Sequence, residues 1–384
     1  MNIKYLNNVN SQIFIISLLV FLIKWSLSFY EYGLENLFIK FLFNPSGDYS
    51  YFPFIHQLST LTFNEGYSVL SNQNDLIGFP FLVIIFHAIF YKIFGLVGIL
   101  IIELICIFIF IKIFFEVFKI INISNNFCLL ISFFLFSLLP ISNLIYELSF
   151  PYSLNLKNLY SGFYSLRFPR PIITNLFFFS FILFSIRFYL STTNVIKYKN
   201  FIIMAFFLGL MLNSFFYFFI VCSLTTLFLY IAKEGLNFFE KQKIFLLVKF
   251  LLILIILSSF FLIQIIYIED DYLARVGTLN LLPETKIFIF DHLIKGFSKV
   301  EFWFILIINI IFYKINIKFS FKYKKFINFF FILFFSSIIS PVIYLLLMDK
   351  ITFFSNFIFI IALSSFLLLK VNLIIFLKII FDKY

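Results

Sequence analysis

Charge is scarce in this chain. Only 12% of its 384 residues are Asp, Glu, Lys or Arg, against 63% hydrophobic residues and a mean hydropathy of +1.08. A soluble domain of this length cannot hide so much apolar surface, so lipid is the expected solvent. Cysteine is rarer still: Cys106, Cys128 and Cys222 fall singly in apolar runs, without ligand-like spacing. They read as small buried hydrophobes, neither a disulfide framework nor a metal site. Arginine occurs only at Arg167, Arg170, Arg187 and Arg275, and lysine supplies every other basic residue. The net charge of +11 forms no continuous soluble patch. Nucleic acid is therefore not expected as a partner, and the excess reads as basic cytoplasmic loops. The abundant residues, including 67 Phe, are those of AT-rich codons, so the Phe content reflects composition more than an aromatic function.

Apolar runs long enough to cross roughly 30 Å of hydrocarbon fall at 12–30, 97–120, 127–146, 171–190, 245–267, 300–316, 326–347 and 351–369. The stretch 201–233 is too long for one helix and is expected to fold as a hairpin turning near Asn213-Ser214. About ten crossings result, in one integral membrane domain over 1–384, an all-α polytopic transmembrane bundle. No small-residue cleavage site follows the first apolar stretch, so it is expected to be a retained span. Residues 371–384 are expected to form a short cytoplasmic surface helix.

Charge orients the spans. Lys314, Lys318, Lys322, Lys324 and Lys325 place 314–325 in the cytoplasm, because basic loops stay inside. Counting back puts 191–200 and 234–244 inside, and 147–170 and 268–299 outside. Residues 31–78 carry Glu31, Glu35, Asp48, Glu65 and Asp75 against one Lys40 and are expected outside. Both ends agree only if the apolar segment 79–95 does not cross. It is read as a helix in the outer interface, with His87 and Lys92 offered to the headgroups. Both termini are then cytoplasmic, and the first outer loop, 31–96, is the longest.

Long structured loops on one face are where function sits when spans are a scaffold. In the first, Asp48 follows the turn-forming Asn44-Pro45-Ser46-Gly47, which sets a carboxylate at the mouth of the bundle. Tyr49, Tyr51 and Phe52 suit either an interfacial belt or a platform for a sugar ring. With His56 and the two tyrosines, this loop supplies candidate substrate contacts. The second outer loop brings Arg167 and Arg170 just before a span, in a segment stiffened by Pro169 and Pro171, and the third carries Arg275. Arginine at an outer face runs against topology, and its planar fork grips phosphate bidentately. The third loop also holds Glu269-Asp270-Asp271, which can bind a divalent ion or simply cap a helix end in water. No motif calls for another cofactor. Lys24 and Glu103 lie near span ends, where snorkelling or an outer cavity accounts for them.

This pattern resembles the GT-C superfamily of membrane glycosyltransferases. Gly47-Asp48-Tyr49-Ser50-Tyr51 stands at the family's early catalytic acid, and Phe79-Pro80-Phe81-Leu82 through Ile93-Phe94-Gly95 is similar to its interfacial helix ending in Phe-Gly. A single Asp replaces the Asp-Glu pair of several branches, and a large outer domain after the spans is not expected. The resemblance implies inverting transfer from a polyprenyl-phosphate-linked sugar to a glycan, lipid or protein acceptor outside the cytoplasmic membrane. Asp48 would be the base, and Arg167, Arg170 and Arg275 the phosphate ligands. A lipid-linked glycan flippase, or a polysaccharide polymerase or ligase, is the competing expectation.

Overall fold

The computed structural model describes residues 8–42, 52–62, 81–133, 170–235, 240–267, 278–280, 282–298, 300–348, 350–352 and 355–381. Along the chain run α1 (Val9–Leu42), α2 (Phe52–Ser59), α3 (Phe81–Phe94), α4 (Val97–Ile120), α5 (Arg170–Leu190), α6 (Asn194–Leu212), α7 (Phe216–Glu234) and α8 (Lys241–Tyr267). Strand β1 (Thr278–Asn280) follows, then α9 (Pro283–Phe297), α10 (Val300–Phe319), α11 (Lys324–Leu347), strand β2 (Lys350–Thr352) and α12 (Ser355–Phe381). Residues 125–133 are also helical. Eight of the described helices, α4 to α8 and α10 to α12, are long and apolar enough to cross a membrane. The chain is an all-α, multi-pass membrane protein. Exposed Leu251, Leu252, Ile255 and Ile256 on α8, and Ile307, Ile310 and Ile311 on α10, suit a hydrocarbon surround. In water they would be an aggregation surface.

The helices group into two compact units. The first comprises Met1–Leu183, Asn213–Phe215 and Phe260–Tyr267. Its α1 is longer than the expected span at 12–30, because helical residues continue to Leu42 across a break at Gly33 (φ 66°, ψ 174°). Glycine adopts that backbone without the Cβ clash that penalises other residues. The first loop thus begins with more helix, and α2 and α3 follow within it. Over its described residues, Phe81–Phe94, α3 is about 21 Å long, short of the roughly 30 Å hydrocarbon core. Phe110 and Phe114 of α4 pack their rings on Phe179 of α5, at 5.3 and 4.9 Å between centroids.

The second unit comprises Phe184–Leu212, Phe216–Ser259 and Ile268–Tyr384. The expected hairpin over 201–233 is present as α6 and α7, joined through Asn213-Ser214. However, α6 begins at Asn194, so Lys197 and Lys199 lie on a helix and not in a loop. Lys197 is buried and pairs with Glu234 at 2.7 Å. The segment 268–299 is likewise no plain loop, since it contains α9 and β1. Strand β1 pairs antiparallel with β2, Leu279 opposite Ile351.

A polar ladder joins α10 to α12. Asn316 Nδ2 donates to the Asn372 carbonyl at 2.9 Å, Asn372 Nδ2 to Asn309 Oδ1 at 3.2 Å, and Asn309 Nδ2 to the Ser365 carbonyl at 3.3 Å. In lipid, such groups must find partners within the protein. This ladder also explains why α12 runs unbroken to Phe381, where a separate surface helix over 371–384 was expected. Val371, Asn372, Ile374, Ile375 and Ile379 are all buried, and no Gly or Pro interrupts them. Pro341 inside α11 lacks the N–H that would reach the Ser337 carbonyl. The Ser340 hydroxyl donates to that carbonyl instead, at 3.2 Å.

Candidate functional site

The best-defined polar arrangement sits in the first unit, where α2 and α3 pack on α1 and α4. Its geometry starts from two glycines. Gly95 ends α3 in the left-handed region (φ 60°) and donates its N–H to the Tyr91 carbonyl at 2.8 Å, closing the helix. Gly98 opens α4 so close to α3 that an added Cβ would stand 2.2 Å from the Phe90 carbonyl oxygen. Only a residue without a side chain allows this approach. Pro53 falls in the first turn of α2, where its missing N–H costs no helical bond. Ile55 and Leu58 of α2 then bury against Ile84 and Ala88 of α3, Ile99 of α4 and Trp25 of α1. Phe260 stacks on Phe81 at 3.7 Å.

Three polar features are set into this apolar platform. On its exposed side, the His56 ring meets Tyr91 edge-on at 6.0 Å and 77°, with Lys92 exposed next along α3. An imidazole, a phenol and an ammonium at one surface can donate to and accept from a polar ligand. Deeper, Glu103 on α4 is only 3% exposed and accepts a hydrogen bond from Trp25 Nε1 at 3.1 Å. A carboxylate inside a spanning helix is costly and marks either a polar pathway or an interhelical tie. The indole contact makes it at least a tie between α1 and α4. Its burial rules out snorkelling to a surface, one of the two accounts expected for Glu103.

His87 also departs from expectation. It was to face the headgroups, yet it is 1% exposed. The reason is register: Ile84, His87, Ala88 and Tyr91 recur at helical spacing on the packed face of α3. Its Nδ1 donates to the Val83 carbonyl at 2.8 Å in the neutral ring. Burial lowers its pKa to about 4, against a smaller upward pull from that backbone bond.

Of the residues marked by the sequence, His56 is in the platform. Arg170 is the first residue of α5, and only its backbone place is described. Asp48, Tyr49, Tyr51, Arg167 and Arg275 lie outside the described residues, as do Glu65, Asp75 and the triplet Glu269-Asp270-Asp271. The separation of Asp48 from Arg170 therefore falls outside them too. Among the described residues, no three His, Cys, Asp or Glu side chains gather as a metal site. The three cysteines are buried and separate. Sequence reasoning missed Tyr91, one of 21 tyrosines with nothing to single it out. It noted Glu103 but not its pairing with Trp25, whose signal was that tryptophan occurs only twice.

No family model, curated protein or solved structure matches this chain. What stands on the residues themselves is a multi-pass α-helical membrane protein in which, among the described residues, α1 is followed by two short helices that pack as a platform on α1 and α4.

Proposed function

We propose that this chain is a membrane glycosyltransferase that moves a sugar from a polyprenyl-phosphate donor to a glycan, lipid or protein acceptor at the outer face of the cytoplasmic membrane. The observation that carries the reading is the order of elements. Among the described residues, a long helix is followed by two short helices and then by a succession of helices long and apolar enough to span. The second short helix ends in Phe94-Gly95, and an exposed His56–Tyr91 pair sits on the platform they make. This layout resembles that of the GT-C superfamily.

In this reading Asp48 takes the proton from the acceptor hydroxyl as its oxygen attacks the anomeric carbon. The bond from that carbon to the phosphate oxygen breaks, with inversion, and the lipid leaves as polyprenyl phosphate. Arg167, Arg170 and Arg275 neutralise the departing phosphate in a low-dielectric setting, where such pairing is strongest. Tyr49, Tyr51 and His56 present rings and a polar edge to the sugar.

The test is mass spectrometry of cell-envelope glycans and lipids from a deletion strain, complemented with the wild-type chain or with Asp48→Asn. The expected result is one missing sugar, restored by the wild type and not by the variant. Unchanged glycans in the deletion strain would end the transferase reading. Full restoration by an expressed Asp48→Asn would remove Asp48 as the base.

A lipid-linked glycan transporter is the second reading. It is favoured by the buried Asn309, Asn316 and Asn372 inside α10 and α12, since transporters keep polar groups at mid-membrane. A transporter would leave sugars attached to their donor, so released polyprenyl phosphate in proteoliposomes separates the two.

A further inference from the structure

In the second unit, the opening turns of α6 and α8 enclose a cleft of about 450 Å³, lined by Tyr198, Lys199, Ile203, Gln242, Phe245 and Lys249 among others. Its character is split. Polar and cationic groups sit beside an apolar wall, and Phe245 is 61% exposed.

The charges of this region are unequally engaged. Glu234 meets Lys197 at 2.7 Å and Lys243 at 3.7 Å, and Glu240 meets Lys243 at 3.1 Å. Among the described residues, the two carboxylates at this end are thus taken up by Lys197 and Lys243. Neither Lys199 nor Lys249 meets a carboxylate there. Lys249 is the more telling, because it lies inside the apolar window Gln242–Ile263 of a span. Its ammonium stands 4.3 Å from the centroid of the Phe245 ring, one turn back along α8. The side chain therefore runs toward the helix start, where Gln242 also lines the cleft, as a lysine near a membrane surface does. Two cations that meet no carboxylate among the described residues thus stand at one end of two spans beside an apolar wall, a combination that matches an anion carrying acyl chains. Basic pockets between spans hold anionic lipid headgroups by this chemistry.

We propose that this cleft binds an anionic phospholipid, its phosphate between Lys199 and Lys249 and an acyl chain along Ile202, Ile203 and Phe245. The site is independent of the transferase reading and shares no residue with it.

The experiment is native mass spectrometry of the full chain in detergent, titrated with phosphatidylglycerol and, separately, with phosphatidylcholine. Phosphatidylglycerol is expected to bind and phosphatidylcholine to bind far more weakly. At about fivefold per lysine, Lys199→Gln/Lys249→Gln should weaken phosphatidylglycerol binding about twenty-five-fold, while Lys249→Arg keeps it. The charge-matched Lys295→Gln/Lys318→Gln should bind like the wild type. Lys199→Gln alone, at an exposed position, provides the reading if the double variant fails to fold. Equal binding of the two lipids, or unchanged phosphatidylglycerol binding by the glutamine variants of Lys199 and Lys249, overturns the site. So does displacement of the lipid by inorganic phosphate at equal concentration, which would make it a site for free anions.

Discussion

Replacing Gly98 by alanine is the sharpest structural test of the platform. The added methyl would lie 2.2 Å from the Phe90 carbonyl oxygen, 2.6 Å from its carbon and 3.1 Å from the Tyr91 nitrogen. All three are backbone atoms, so no side chain can rotate away, and α3 must move relative to α4. Inserting a methyl into a packed site costs about 1–3 kcal/mol, and the backbone clash places Gly98→Ala near 3. Gly95→Ala meets nothing within 4 Å, but its φ of 60° is left-handed, which costs about 1–2 kcal/mol. Gly296, inside α9, has open space and no unusual φ. There alanine should be neutral or stabilising by up to about 1 kcal/mol, because it restricts the unfolded chain. Thermal midpoints of the three purified variants in one detergent should therefore fall in the order Gly296→Ala, Gly95→Ala, Gly98→Ala. Displacement of α3 would also separate Tyr91 from His56, so on the proposed transferase reading Gly98→Ala should lose sugar transfer beyond its loss of stability. A Gly98→Ala midpoint equal to the wild type would refute the close approach and the platform built on it.

His87 is neutral when folded, with its pKa lowered from 6.5 to about 4, so the unfolded chain binds the extra proton between those values. Stability is full above pH 6.5 and declines as pH falls toward 4, by about 3 kcal/mol in all; His87→Gln should flatten that slope in a pH series of melting curves. Trp25→Phe keeps an apolar ring but removes the indole N–H that donates to Glu103. It should cost about 1–3 kcal/mol, and a double-mutant cycle with Glu103→Gln that shows no coupling would dismiss the tie. On the proposed transferase reading, Arg170→Lys preserves charge but loses the planar fork, so donor binding by proteoliposomes should weaken, and Arg170→Ala should weaken it further; equal binding by Lys and Arg would leave only headgroup anchoring.

Much of the architecture was legible in the sequence because lipid imposes simple rules. A helix must run about 20 apolar residues to cross, so the runs at 97–120, 171–190 and 326–347 announced α4, α5 and α11. A run of 33 residues with Asn213-Ser214 inside it had to turn, and it does. Local composition decides these features, and neighbours change them little. Side-chain environment is another matter, since it depends on which faces meet. His87 and Lys92 lie five residues apart on one short helix, yet the first is buried and the second exposed. Glu103 meets Trp25 across 78 positions, and no periodicity announces such a partner. Lys197 looked like a loop charge until Glu234, from another helix, drew it inward. The end of α12 looked like a surface helix until Asn372 joined the ladder from α10. Apolar length is a property of the chain alone. Charge compensation belongs to the folded molecule, because a buried polar group is stable only where tertiary structure delivers its partner.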